Sequence, residues 1–173
     1  MAQNQQYGVI FDMDGVLIDS YDEHRISWQR MARERGLEMT DEQFKATFGR
    51  PSRDIIRQVW NLTDPAEVRQ MDDRKEQIFR ELLGAHVPAM PGAKALIEDL
   101  AANGFKLGVG SSGPPQNVRL VVERLGIREK LSGLTTATDV TRGKPDPQVF
   151  LLTAEKMGIH PSRCAVVEDA VHG

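Results

Sequence analysis

Residues 7–15 have the sequence Tyr-Gly-Val-Ile-Phe-Asp-Met-Asp-Gly. The first five residues form a short, apolar, β-prone segment, which is typical of a parallel strand buried on both faces. Asp12 and Asp14 follow directly, and Gly15 permits a sharp turn after them. This stretch therefore predicts a buried strand whose carboxyl end carries two acidic side chains.

Three later segments repeat this arrangement of an apolar strand that leads into polar residues. They are 105–110, followed by Ser111 and Ser112; 134–138, followed by Asp139 and Lys144; and 165–167, followed by Glu168 and Asp169. Helical patterns separate them over 93–103, 116–125 and 148–157, and each pattern stops at a glycine. The alternation predicts an α/β fold with a Rossmann-like parallel sheet and helices on both faces.

The interval 19–88 breaks this alternation, because it contains helical patterns and no obvious strand. Three helices are expected: one over 24–35, a second that begins after an N-cap at Thr40, and a third from Asp64 to about Leu83. We therefore expect two domains. Residues 1–18 and 89–173 form the α/β core, and 19–88 form an inserted helical cap over the carboxyl edge of the sheet, where open α/β sheets bind ligands.

The composition limits the classes of partner and the compartment. Hydrophobic residues make up 40% and charged residues 27%, with a net charge of −3 and no clustered Lys and Arg. This balance predicts no nucleic-acid partner. The polar N-terminus and the short apolar runs predict neither an export signal nor a membrane segment. The lone Cys164 cannot form an intrachain disulfide, so we expect a cytoplasmic protein.

The polar residues after the strands should form one site, because the carboxyl ends of parallel strands meet at one edge of the sheet. Like charges ~4 Å apart repel by about 4 kcal/mol, so four carboxylates need protons or a cation. Ligands that are all oxygen favour Mg²⁺ over Zn²⁺, and the lysine and hydroxyl suit a phosphate that shares the metal. The residues expected there are Asp12, Asp14, Ser111, Lys144, Glu168 and Asp169.

The two acids after the first strand can divide the work of phosphoryl transfer. Asp12 is placed to attack phosphorus, and Asp14 to protonate the leaving oxygen and then deprotonate the incoming water or alcohol. Each motif alone has an ordinary explanation: a turn, a solvated lysine, or an acidic helix start. Their joint occurrence at predicted strand ends favours a catalytic site.

With these motifs in this order, the sequence resembles the haloacid-dehalogenase superfamily, in its branch with a helical cap after the first strand. The matching segments are 11–17, Ser111, 143–147 and 167–170. The acid at Asp14 indicates phosphoryl chemistry, because the true dehalogenases lack an acid there.

The resemblance also implies roles for individual residues. It implies that Asp12, Asp14 and Lys144 are catalytic. It implies a Mg²⁺ cofactor held by Asp12, the Asp14 carbonyl, Asp169 and Glu168. The phosphate would be held by Met13, Ser111, Ser112 and Lys144.

The cap resembles that of β-phosphoglucomutase and related sugar-phosphate phosphatases. On that resemblance, Ser20, His24, Arg53 and Lys75 are expected to contact the substrate. The alternative for Arg53 and Lys75 is ordinary charge on a helix surface, and for His24 a packed hinge residue.

The sequence thus favours a Mg²⁺-dependent phosphatase that hydrolyses a small phosphorylated metabolite through an aspartyl-phosphate. One alternative is a β-phosphoglucomutase-type mutase. Another is a non-catalytic binding module, because the sequence stops at Gly173 without the C-terminal unit of the superfamily. An unpaired sheet edge is expected there, so we expect a monomer or a weak dimer.

Overall fold

The computed structural model describes residues 6–170, except for the side chain of Ala85. The chain forms two compact units, one up to Ser20 and from Val87 onward, the other Tyr21–His86. The helical unit lies two residues inside the expected bounds of 19–88 at each end. The end of the chain at Gly173, on which the expectation of a missing unit rests, lies outside the described residues.

The elements follow in chain order. They are β1 (Gly8–Phe11), α1 (Tyr21–Glu34), α2 (Asp41–Thr47), α3 (Ser52–Trp60), α4 (Pro65–Ala85), α5 (Ala93–Ala102), β2 (Lys106–Gly110), α6 (Pro115–Arg124), β3 (Leu131–Thr135), α7 (Gln148–Met157) and β4 (Cys164–Val167). Single 3₁₀ turns at Arg128–Lys130 and Pro161–Arg163 precede β3 and β4.

The α/β unit contains a four-stranded parallel sheet in the order β3-β2-β1-β4, which confirms the predicted α/β fold. Phe11, the last residue of β1, pairs with Val109 on one side and with Val167 on the other. The residues that follow β1, β2 and β4 therefore leave the sheet at neighbouring points on its carboxyl edge. This register brings the first, second and fourth motifs to one edge.

Helix α7 packs closely against the sheet because the strands present small residues to it. A Cβ at Gly108 would lie 2.5 Å from Met157 Sδ. Helix α7 therefore lies closer to β2 than any residue with a side chain at position 108 would allow. The neighbouring residues Leu107 and Val109 point to the opposite face and are fully buried. The close contact fixes α7, and with it the loop that precedes it.

The third strand begins and ends three residues earlier than predicted, at Leu131–Thr135 instead of 134–138. Asp139 explains the difference, because its Oδ2 accepts hydrogen bonds from both the backbone N and the Oγ1 of Thr136, each at 2.8 Å. These bonds close a turn immediately after Thr135, as Asp side chains commonly do. The β-prone sequence continues into this turn, so the prediction placed the strand too far along the chain.

The helical unit has its own core, in which α1 packs along α4. Helix α2 begins at the expected N-cap: Gln43 N donates to Thr40 Oγ1 at 3.1 Å, and Thr40 N donates to Gln43 Oε1 at 2.9 Å. The buried residues of the core include Trp28, Met31, Phe44, Ile56, Met71 and Ile78. Among the described residues, no helix is long and apolar enough to cross a bilayer.

Candidate active site

The loop after β1 places the first acid at the end of the sheet. The backbone N–H of Asp12 donates to Val167 O at 3.0 Å, so this residue still lies next to β4. The chain then turns sharply: Leu17 N donates to Met13 O at 2.9 Å, and Gly15 adopts a φ of 77°. The side chain of Met13 is buried, so only the backbone of Met13 is expected to reach a phosphate.

A lysine from the loop between β3 and α7 joins the acids of two different strands. Lys144 Nζ lies 3.0 Å from Asp12 Oδ1 and 2.6 Å from Glu168 Oε2. All three side chains are largely buried. A single ammonium group thus partly neutralises two carboxylates whose side chains are only 10% and 13% exposed.

Three carboxylates form a cluster that can hold a metal ion. One oxygen each from Asp12, Glu168 and Asp169 lies within 4.8 Å of the others. Asp169 lies against Gly15, where a Cβ would be 2.2 Å from Asp169 Oδ2. Oxygen donors of this kind fit a hard divalent cation such as Mg²⁺. The expected contact of the Asp14 carbonyl with the ion stays a prediction.

The charge balance at Asp12 supports the same conclusion. Burial is the main cause that raises the pKa of Asp12 from 3.8 to about 7; Lys144 opposes this rise, and the negative charge of Glu168 adds to it. Lys144 alone therefore does not keep this carboxylate fully ionised at neutral pH. A divalent cation beside it would lower the pKa and keep the nucleophilic form available.

Ser111 lies at the end of β2, beside β1. Its backbone N–H donates to Thr135 O at 3.0 Å, and its buried Oγ accepts from Gly113 N at 3.0 Å. Within residues 6–170 the hydroxyl hydrogen has no acceptor, which leaves it for a phosphoryl oxygen. The next residue, Ser112, is exposed. The expected phosphate contacts of both serines stay predictions.

Ser20 lies in the α/β unit, although it was expected to contact the substrate from the cap. It is 2% exposed, and its Oγ donates to Asp14 Oδ1 at 2.5 Å. In this structure Ser20 therefore orients the expected acid–base group. The sequence shows a serine six residues after Asp14, but it does not show that this serine is buried against Asp14.

His24 and Lys75 lie together in the helical unit. Lys75 Nζ is 3.1 Å from His24 Nδ1 and 2.8 Å from Glu76 Oε1, and Lys75 is only 2% exposed. This burial contradicts the alternative that Lys75 is ordinary surface charge. Arg53 is half exposed at its side chain, with its Nε 2.8 Å from Asp72 Oδ2. The proposed substrate contacts of His24, Arg53 and Lys75 remain predictions.

Sequence reasoning missed the support of Lys144 by the first turn of α7. The ring of Phe150 lies 4.9 Å from Lys144 Nζ, in the geometry of a cation–π contact. Gln148 binds the loop that carries Lys144, with its Oε1 2.8 Å from Arg142 N. The only signal was the position of both residues just after Lys144.

Comparison with known proteins identifies a family. The sequence matches the family described as haloacid dehalogenase-like hydrolases over residues 8–173. It is 33% identical to hexitol phosphatase A of Escherichia coli, over 96% of this chain and 76% of that protein. It is 27% identical to β-phosphoglucomutase of Bacillus subtilis, over 95% of this chain and 76% of that protein.

Two further similarities concern a plant protein and a solved structure. The chain is 33% identical to the chloroplastic 5-amino-6-(5-phospho-D-ribitylamino)uracil phosphatase of Arabidopsis thaliana; the match covers 92% of this chain but only 43% of that protein. The crystal structure of a hydrolase of the same family from Entamoeba histolytica superposes with a TM-score of 0.86 at 25% identity, covering 96% of this chain and 77% of that one.

Proposed function

This chain belongs to the haloacid dehalogenase-like hydrolases, and we propose that it is a Mg²⁺-dependent phosphatase that hydrolyses small phosphorylated metabolites through an aspartyl-phosphate. One observation carries the proposal. The buried carboxylate of Asp12 lies 3.0 Å from Lys144 Nζ, within a cluster of three carboxylates, and Asp14 follows two residues later.

The reaction proceeds in two displacements at phosphorus. In the first, an Asp12 oxygen forms a bond to phosphorus as the bond to the ester oxygen breaks, and Asp14 gives that oxygen its proton. In the second, water attacks the phosphorus of the aspartyl-phosphate and loses a proton to Asp14. Phosphate leaves, and Asp12 is regenerated as a carboxylate.

The remaining residues position the groups and balance the charge. Lys144 holds Asp12 in place and offers its ammonium group to a phosphoryl oxygen. Ser111 supplies a hydroxyl donor, and Ser20 holds one oxygen of Asp14 so that its carboxyl group keeps a defined direction. Mg²⁺ held by Asp12, Glu168 and Asp169 would supply the positive charge that phosphoryl transfer requires.

The proposed substrates are small sugar and polyol phosphates. The support is the similarity to proteins named hexitol phosphatase A and β-phosphoglucomutase. Because the net charge of the chain is −3, an anionic substrate must be attracted by local positive charge, which Lys144 and a metal ion would supply. Substrates with a single terminal phosphate fit a site that offers one lysine.

The test is a phosphate-release screen over sugar, polyol and nucleotide monophosphates and phosphoglycolate, with MgCl₂ or with EDTA. We expect release that depends on Mg²⁺. Asp12→Asn keeps the shape but removes the nucleophile, and we expect turnover to fall by about 10⁴-fold or more, comparable with the loss of other catalytic nucleophiles. Its circular dichroism should match that of the parent chain. Undiminished turnover in Asp12→Asn would contradict the mechanism.

A mutase is the second candidate, supported by the 27% identity to β-phosphoglucomutase and by the contact of His24 with Lys75. Incubation with β-glucose 1-phosphate separates the two functions. Glucose 6-phosphate without free phosphate would favour the mutase, and free phosphate alone would exclude it. A folded chain that releases no phosphate from any compound would favour the binding module.

A further inference from the structure

We infer that Gln148 is a positioning residue that fixes the loop bearing Lys144 and so keeps the Lys144 ammonium group on Asp12. The inference deepens the proposed function and rests on it. Gln148 is the first residue of α7 and lies four positions after Lys144.

A single oxygen of Gln148 holds the entry to the loop. Gln148 Oε1 accepts from Thr141 N at 3.0 Å, from Thr141 Oγ1 at 3.3 Å and from Arg142 N at 2.8 Å. Two successive backbone N–H groups, in a part of the chain without regular structure, thus have a side-chain acceptor from a helix. Without that acceptor, these groups would turn to water and the segment would gain freedom.

The backbone of the same residue holds the exit from the loop. Gln148 N donates to Asp146 Oδ1 at 3.0 Å, and Asp146 Oδ2 accepts from Arg142 Nε at 3.0 Å. Asp146 N donates to Gly143 O at 3.1 Å, which closes a turn around Lys144. The turn is therefore joined to the first residue of α7 at both of its ends.

These hydrogen bonds from Gln148 to the loop matter because Lys144 carries its charge at the end of a flexible side chain. Lys144 Nζ lies 3.0 Å from Asp12, 2.6 Å from Glu168 and 4.9 Å from the centre of the Phe150 ring. The helix that bears Gln148 packs on the sheet that bears Asp12, so Gln148 relates the loop directly to the sheet. A loop that moves by an ångström would lose this alignment, and positioning errors of that size are costly in catalysis.

The test compares Gln148→Met, which keeps the length without an acceptor, with Gln148→Glu, which retains the accepting oxygen. The readout is the acetylation rate of Lys144 under trace labelling, measured by peptide mass spectrometry relative to the exposed Lys94 and Lys45. We expect about tenfold faster labelling of Lys144 in Gln148→Met, as loss of one or two hydrogen bonds implies. Gln148→Glu should label like the parent chain.

Activity gives the second arm. In Gln148→Met, kcat on the best substrate should fall about tenfold, whereas in a Lys144→Met background the same change should cost nothing further. If Gln148→Met does not fold, Gln148→Asn, which is one methylene shorter, replaces it.

Three results would overturn the inference. They are unchanged labelling of Lys144, a proportional rise at all three lysines, and full additivity with Lys144→Met. Labelling needs no turnover, so an inactive parent chain would count against the phosphatase and leave the role of Gln148 to be decided by labelling.

Discussion

Gly15 illustrates how little room the site leaves at a single residue. Its φ of 77° is unfavourable for residues with a side chain, and a Cβ would lie 2.4 Å from Asp169 Cγ. The first constraint belongs to the turn, and the second belongs to the site. The two can be separated, because other glycines have the same backbone conformation without a neighbour.

We expect Gly15→Ala to displace the Asp169 carboxylate and to lower Mg²⁺-dependent phosphate release by about 10²-fold, an effect typical of misplaced catalytic groups. Gly104→Ala is the matched control in the same unit. Its φ is 81° and nothing lies within 4 Å of the added Cβ. Both changes should cost about 1 kcal/mol of stability through φ alone, as urea unfolding measures. Equal activity losses in the two variants would show that the Asp169 contact is irrelevant.

The residues that follow strands were predictable, and those that act through them were not. Asp12, Glu168 and Asp169 meet because parallel strands end at one edge, and short apolar runs that lead into acidic residues were enough to find β1 and β4. Ser20 acts through one side-chain hydrogen bond, and Gln148 acts through the bonds that its Oε1 accepts from Thr141 and Arg142. The direction of both side chains depends on the fold of the intervening turn. Local sequence contains no record of that direction, so only the structure reveals the two contacts.

At the scale of elements, helix α4 contains a buried charged residue, Lys75, for which the sequence left open an ordinary surface position. Lys75 Nζ lies between His24 and Glu76 and within 5.5 Å of the centres of the Trp28 and Phe79 rings. The helix is charged along much of its length, so its inward face is hard to recognise from polarity alone. The bounds predicted for β3 were wrong for a related reason. The residues of the turn that Asp139 closes are themselves β-prone, so the sequence does not show where the strand ends.

We expect Lys75→Met to destabilise the chain by about 3 kcal/mol, because it leaves the nearly buried Glu76 carboxylate without this ammonium partner. Lys45→Met, at an exposed position of α2, should change stability by no more than about 0.5 kcal/mol. Lys75→Met/Glu76→Gln should recover part of the loss. The measurement is the free energy of unfolding in urea. Similar values for Lys75→Met and Lys45→Met would exclude a structural role.

For the whole molecule, the site lowers the stability of the chain when no cation is bound. Folding transfers Asp12 from water to a position that is 7% exposed and raises its pKa from 3.8 to about 7. Between those two pH values the folded chain holds a proton that the unfolded chain has released. Stability therefore falls as pH rises from about 4 to about 7, and this contribution is constant above that range.

The corresponding prediction compares Asp12→Asn with the parent chain in EDTA, across pH 4 to 8. Near pH 4 both side chains are neutral in the fold, so the two free energies of unfolding should agree. At pH 8 the variant should be more stable by an amount on the order of 4 kcal/mol, since a pKa difference of about three units corresponds to that value. MgCl₂ should narrow this gap by stabilising the parent chain alone, because the ion binds the ionised cluster of the folded state. Parallel stability curves for the two proteins, with or without Mg²⁺, would show that Asp12 titrates normally in the fold, and the argument for a cation at these three carboxylates would lose its electrostatic basis.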